Sequence, residues 1–446
     1  MLRTLILVLS LSLAPSLAPA QAAAPRADTA HVAASAPATP PVVSSPADTG
    51  AVPVPRASAK ALEYERSGNV LWVIGTIWSL LVPAAILFSG LSARIRTLSL
   101  RVGRRWYLAL VVYGAVITLL LFVADLPLAW YVGFVREHAY GLSNQTFGKW
   151  LGDSLKSLAI GIVSFALVMW MPYLLMRRSP RRWWLWTALA GVPLIVISFW
   201  LSPLVIEPMF NHFGPMQDKV LEHRILAEAE RAGIGGSRVY EVDMSVDTKA
   251  VNAYVTGFGG SKRIVLWDTI IQKMSPRELL FVVGHEMGHY VLRHVLLLMA
   301  MAAVLLLGAL WLIHLTAGWM IRRWGTRFGF ERLDDFASYP LLALVVGVAS
   351  LVILPVPLAV SRHLERESDR FGLELTHDNH AAATAFAKLQ QENLATPYHS
   401  TLYQLWHDSH PPVGERIEFA NTYRPWAHGQ PLRYGRYFRS VPPPPR

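Results

Sequence analysis

Six long apolar runs organise the chain, at about 69–91, 107–128, 157–176, 184–204, 295–320 and 340–360. Each is close to the ~20 residues a helix needs to cross the hydrocarbon layer, so the pattern predicts six membrane spans. Between the fourth and fifth runs the pattern changes, and residues 205–294 are more polar. There Asp218 to Ala232 carries the spacing of an amphipathic helix, ended by Gly233. Val239 to Val242 and Arg263 to Trp267 read as strands, the second after the turn Gly259-Gly260-Ser261. Ser275-Pro276-Arg277-Glu278 is a capping box with proline at the first helical position. Leu279, Leu280, Val282, Val283 and Met287 follow with mostly helical spacing. The expected fold class is mostly α: a polytopic helical membrane protein of about six spans with a small α+β unit.

The flanks lack this patterning. Met1 to about Ala20 reads as a secretory signal peptide, with Arg3 as the positive flank, Leu5 to Leu13 as the apolar core and Ala18-Pro19-Ala20 as the cleavage site. The short apolar core favours cleavage over a retained anchor. Residues 21–60, rich in Ala, Pro, Ser and Thr, are expected to be a disordered tether, and 431–446 a disordered tail. The divisions between them are spans 1–4 in 61–204, a first polar unit in 205–294, spans 5–6 in 295–361 and a second polar part in 362–430.

Composition supports the membrane reading. The 446 residues are 53% hydrophobic and 16% charged, and the mean hydropathy is +0.34, too apolar for an ordinary soluble protein. The net charge of +11 sits largely in short loops beside apolar runs, which marks topology and membrane lipid, not nucleic acid. Arg94, Arg96, Arg101, Arg104 and Arg105 fill the first loop; Arg177, Arg178, Arg181 and Arg182 the third; Arg322, Arg323 and Arg327 follow the fifth span. The loop 136–156 is mixed. These arginines put three loops in the cytoplasm and the polar units outside, as does starting outside after a cleaved signal. The expected location is a bacterial inner membrane with the polar units toward the periplasm. The chain has no cysteine, which excludes thiolate ligands, disulfides and a cysteine nucleophile.

The chemistry begins at His285-Glu286-Met287-Gly288-His289. On a helix, positions i and i+4 share a face, so His285 and His289 can offer two nitrogens to one ion. Glu286 stands one step round, within reach of water on that ion. The pattern is that of a catalytic zinc site, one ion per chain, with Glu286 as general base. Two satisfied core histidines are the bland reading, and the full pattern outweighs it. A third ligand is still needed. A further histidine on the next turn, six residues on, is one solution, but Val295 stands there and Leu292 replaces its glycine. His294 falls at the wrong offset and reads as an interfacial histidine heading the fifth span. The other solution is a carboxylate from a later helix. Glu365 and Asp369 lie i, i+4 in Ser361-Arg362-His363-Leu364-Glu365-Arg366-Glu367-Ser368-Asp369. One can bind metal while the other accepts a ligand N–H. Glu367, on the other side, is the reserve.

Three blocks together resemble the type 1 CAAX prenyl protease family of integral-membrane zinc metalloendopeptidases. They are His285 to His289, Ser361-Arg362 with Glu365 and Asp369, and His410-Pro411-Pro412 with Arg416. Asn252-Ala253-Tyr254 leading to Lys262–Thr269, and Gly141 to Thr146, are also similar to that family. The resemblance covers roughly 70–420. It implies a gluzincin-type zinc protease domain with Glu365 as third ligand and Asp369 behind the metal. It implies substrate backbone held by Asn252, Ala253 and Tyr254 through edge pairing, and His410 and Arg416 near the cleft as catalytic groups. It also implies a helical chamber around the site and a protein or peptide substrate. The chain departs from the family where a signal-like segment and tether replace an amino-terminal span, and where its arginines turn the site outward. The rival expectation is a catalytically inactive membrane scaffold or quality-control binding protein of the same fold. Oligomeric state, natural substrate and any need for a lipid group have no signal in the sequence.

Overall fold

The computed structural model describes residues 50–257 and 262–439. The expected signal peptide, most of the tether and the Gly259-Gly260-Ser261 turn lie outside them. Among the described residues, six helices are long and apolar enough to cross a membrane: Ala59–Phe88, Trp106–Ala139, Phe147–Arg178, Trp183–Met209, His294–Phe328 and Phe336–Ile353. They coincide with the six apolar runs, but most extend further. The first begins at Ala59, where Ser58 accepts a hydrogen bond from the Ala61 N–H and caps the helix. An apolar window finds only the part a helix keeps in hydrocarbon, and the polar ends carry on into water. The sixth span is shorter than its apolar run, which extended to 360. It stops at Leu354, and a separate helix starts at Pro355; a proline has no N–H for the preceding turn. Side chains such as Leu167, Val304 and Val352 are exposed, as lipid-facing positions must be.

The loops sort cleanly. Arg96 pairs with Asp335, and Arg177 stands 3.9 Å from Asp334, so the arginine-rich loops gather at one end. Buried Tyr113, Tyr173, Phe328 and Phe336 knit the spans there. At the other end, the loop between the second and third spans lies on the polar unit: Asn144 N–H donates to the Asp247 carbonyl at 3.0 Å and Lys249 N–H to that of Leu142 at 2.9 Å.

The polar unit is built on a sheet of β1 (Phe213–Pro215), β2 (Arg238–Val242), β3 (Ala253–Thr256) and β4 (Arg263–Trp267), in the order β1-β2-β4-β3. Strands β2 and β4 run parallel, and β3 is an antiparallel edge strand. β1 was not expected: Phe213-Gly214-Pro215 has turn composition and is a strand only through pairing with β2. Around the sheet lie α1 (Lys219–Arg231), α2 (Pro276–Val291), α3 (Pro355–Thr376), α4 (Asn379–Glu392) and α5 (Val413–Thr422). Ile264, Leu266, Phe281, Val283, Phe371 and Phe386 form the centre of one core with these helices.

Helices α2 and α3 cross closely because glycine stands at the contact. A methyl group on Gly288 would meet Phe371 Cβ at 3.1 Å and Ser368 Cα at 3.2 Å, and one on Gly372 would meet the His285 nitrogen at 3.0 Å. The flanks expected to be disordered are packed where described. Val52 exchanges two backbone hydrogen bonds with the Asn421 amide, and Gln390 donates to the Pro55 carbonyl. The backbone N–H groups of Arg433 and Tyr434 both donate to the Glu374 carboxylate. Alanine- and proline-rich composition signalled disorder, but backbone pairing to fixed side chains is invisible to composition.

Glu228 on α1 is 6% exposed, and its Oε2 has no hydrogen-bond partner. Burial pushes its carboxyl up to about 8, against a smaller pull from Arg231. The folded state therefore holds this proton more tightly than the unfolded chain. That stability is complete below about pH 4.5 and is lost as pH rises through about 8. Glu228→Gln is expected to match the wild type near pH 4.5 and to melt later than it at pH 8. Thermal midpoints across that range check this; equal midpoints at pH 8 refute it.

Candidate active site

The site is carried by α2, α3 and the segment around α5. Ser275 caps α2 as its box predicts: Ser275 N–H donates to Glu278 Oε2 at 2.6 Å, and Ser275 Oγ accepts from Glu278 N–H at 3.4 Å. Lys388 on α4 adds an ion pair to the same carboxylate at 2.6 Å. With its start fixed, α2 presents His285 and His289 to α3, their Nε2 atoms 3.2 Å apart. Glu365 on α3 lies opposite, 3.3 Å from each of these nitrogens. All three side chains are buried or nearly so.

These distances test whether a metal fits. Bonds of about 2.0 Å to a tetrahedral ion put neighbouring ligand atoms about 3.3 Å apart. The two Nε2 atoms are 3.2 Å apart, and each has one Glu365 oxygen at 3.3 Å, Oε2 beside His285 and Oε1 beside His289. Glu365 Oε2 is buried without a hydrogen-bond partner, a cost proteins avoid unless something else satisfies the atom. The electrostatics agree. Burial opposes the Glu365 charge, but His410, His289 and His285 outweigh it and hold the carboxyl well below its ordinary range. Burial likewise opposes charge on His285, yet Asp369 and Glu365 raise it to about 10. The cage stabilises positive charge at its centre, and the residues present fit a divalent ion.

The neighbouring groups take distinct places. Asp369 Oδ1 accepts from His285 Nδ1 at 2.8 Å, which leaves the His285 Nε2 lone pair facing the cage. Arg416 grips the same carboxylate with two hydrogen bonds, Nε to Oδ2 at 2.9 Å and Nη2 to Oδ1 at 2.6 Å. It also covers the Phe386 ring at 4.2 Å. Its neighbours Glu415 and Glu418 engage Arg366 and Tyr398 instead. His410 Nε2 stands 3.3 Å from Glu365 Oε1, with its side chain 55% exposed. Glu286 Oε1 is 3.9 Å from His285 Nε2. Burial raises the Glu286 carboxyl, while the two histidines pull it down. Glu367, the reserve ligand, faces Tyr434, Arg370 and Arg433 and takes no part.

The strand residues divide. Asn252 Oδ1 accepts from the Ala253 N–H at 2.9 Å. Tyr254 is turned to the opposite sheet face from Ala253 and Val255, and its hydroxyl donates to Glu207 at the foot of the fourth span. Of Tyr254, only backbone is in the strand's edge region. Sequence reasoning missed His294. Its Nδ1 lies 3.1 Å from His289 Nδ1, and it is 5% exposed. The signal was there as a histidine five residues past the motif, but only a break in the helix makes that offset work.

A helical membrane domain carrying a His-Glu-x-x-His helix, a carboxylate from a second helix and an edge strand beside them defines an integral-membrane metallopeptidase. Residues 215–424 match the family model of Peptidase family M48, and residues 45–212 that of the CAAX prenyl protease N-terminal, five membrane helices. The chain is 36% identical over 374 residues to the metalloprotease YhfN of Bacillus subtilis, covering 84% of this chain and 88% of that one. It is 28% identical over 380 residues to a CAAX prenyl protease 1 homolog of Dictyostelium discoideum, covering 80% and 83%. The crystal structure of S. mikatae Ste24p shares the fold, with a TM-score of 0.73 at 22% identity over 82% of this chain and 88% of that one. The chain belongs to peptidase family M48, and it is a membrane metalloendopeptidase.

Proposed function

We propose that the chain hydrolyses peptide bonds of membrane-associated or unfolded proteins, with one zinc ion held by His285, His289 and Glu365. The observation that carries this reading is the convergence of three lone-pair donors at 3.2–3.3 Å, with one Glu365 oxygen otherwise unsatisfied. Bound there, zinc supplies Lewis acidity that acidifies water and polarises a carbonyl. Glu286 takes the proton of the attacking water on its carboxylate and returns it to the leaving nitrogen. His410 offers an N–H from the open side of the cage to the oxygen on which charge develops. Arg416, committed to Asp369 by two hydrogen bonds, acts by holding the carboxylate that orients His285.

The free edge of β3 supports an extended substrate. Trp267 N–H donates to the Asn252 carbonyl. In an antiparallel pair the bonding alternates, so Tyr254 and Thr256 face β4 while Ala253 and Val255 point their N–H and C=O outward. No described strand occupies that edge. A substrate strand would pair with Ala253 and Val255, displacing the Asn252 amide from the Ala253 N–H. Relatives named CAAX prenyl protease 1 supply the precedent for a lipid-tethered substrate. The arginine-rich end is placed in the cytoplasm by its charge, which puts the site in the periplasm of a bacterial inner membrane. Reporter fusions after residue 230 test this; fusions active only in the cytoplasm would reverse the orientation.

The deciding experiment measures zinc on the purified protein and cleavage of a casein-like unfolded substrate with and without a chelator. One equivalent of zinc and cleavage abolished by the chelator are expected; cleavage indifferent to the chelator would sink the reading. His410→Ala is expected to lower kcat by about 100- to 1000-fold with little change in KM, as loss of an oxyanion donor does. A raised KM at unchanged kcat would instead make it a binding residue.

A further inference from the structure

The two ligand histidines are supported unequally. A neutral imidazole that binds through Nε2 carries its proton on Nδ1, and that proton needs an acceptor. For His285 the acceptor is the Asp369 carboxylate at 2.8 Å. For His289 no carboxylate among the described residues contacts Nδ1; the atom facing it is His294 Nδ1, at 3.1 Å. Of two facing nitrogens one must donate and one accept. His289 needs its Nε2 lone pair for metal, so its Nδ1–H donates. His294 therefore accepts on Nδ1 and keeps its own proton on Nε2. Ser368 Oγ, on the helix that supplies Glu365, stands 3.4 Å from the same His294 nitrogen.

The backbone explains how a residue five positions on can do this. On a continuous helix, residues five apart point about 140° from one another. Here α2 ends at Val291, and Arg293 takes the left-handed conformation, φ 59° and ψ 31°, before the fifth span begins. Arg293 is not glycine, so this conformation carries some cost. The turn redirects the chain and folds His294 back under His289, with the rings edge-on at 5.0 Å between centroids.

We propose that His294 is a positioning residue that fixes the tautomer and ring orientation of His289 and so sets the affinity of the metal cage. The inference rests on His289 being a zinc ligand, as proposed above. It gives one ligand histidine an anionic support and the other a neutral one, which limits the negative charge the cage accumulates.

Zinc affinity, read by competition with a chromophoric chelator on the full-length protein in detergent, tests the proposal, together with the visible spectrum of the cobalt-substituted protein. His294→Leu removes the acceptor and is expected to weaken zinc binding about 10- to 100-fold and to shift the cobalt bands. His294→Asn places an amide oxygen near the position of Nδ1 and is expected to stay within about threefold of wild type. If the Leu chain does not fold, His294→Gln takes its place, because its amide reaches the position of Nε2 and leaves the Nδ1 acceptor missing. Wild-type affinity in the Leu or Gln protein overturns the proposal, as does equal weakening in the Asn protein, which would mark a packing effect. Failure of the wild-type protein to take up zinc is a different outcome, because it removes the parent reading itself.

Discussion

Glu286→Gln protein is expected to bind zinc as the wild type does and to cleave at least about 100- to 10 000-fold more slowly, the span over which general acid–base catalysis operates. The substitution keeps the size and shape of the side chain and removes only its ability to take a proton. Glu286 is not among the three groups that converge on the cage centre, since its carboxylate lies 3.9 Å from His285 Nε2. Metal content should therefore be unchanged, and the loss should fall on kcat. Kinetics on an unfolded substrate, with zinc measured on the same sample, decide the matter. A Gln variant that cleaves at the wild-type rate would remove Glu286 from the chemistry.

Removing Glu365 is expected to be as damaging to activity but for a different reason. Glu365→Ala leaves two nitrogens and no third protein donor, and catalytic zinc sites use three. It also takes away the carboxylate that faces His285, His289, His410 and Arg416 in one buried space. Arg416 would then keep only Asp369 as a counter-charge in that buried space, and losing one carboxylate of a buried charge cluster is destabilising. Zinc should be absent after gel filtration, activity undetectable and the thermal midpoint lowered. Stoichiometric zinc in this variant would show that a different residue completes the cage.

The membrane spans were legible because a hydrophobic run of about twenty residues has few other uses. The pairing of His285 with His289 was legible because helical spacing alone puts them together. Helical spacing could not choose between Glu365 and Asp369, since both lie on one face; the family resemblance implied the choice, and the tertiary contacts put Asp369 against His285 Nδ1 and Arg416. Tyr254 shows the limit of reading a strand as a unit: its backbone is spent on β4 and its side chain on Glu207, so only its neighbours Ala253 and Val255 present an open edge. His294 was set aside on an offset calculated for an unbroken helix. A single left-handed residue, Arg293, changes the answer, and nothing in an arginine announces that conformation. The break at Leu354 had a clearer mark in Pro355, within a run that hydropathy reads as continuous.

Both helices that carry the proposed ligands are extensions of the membrane domain: α2 passes through a short joint into the fifth span, and the sixth span passes through Leu354 into α3. Solubilisation therefore acts on the cage directly. A detergent that lets these two spans splay would separate His289 from Glu365 without unfolding either helix. Retained zinc then becomes a sensitive gauge of gentle extraction, able to rank detergents before any substrate has been found.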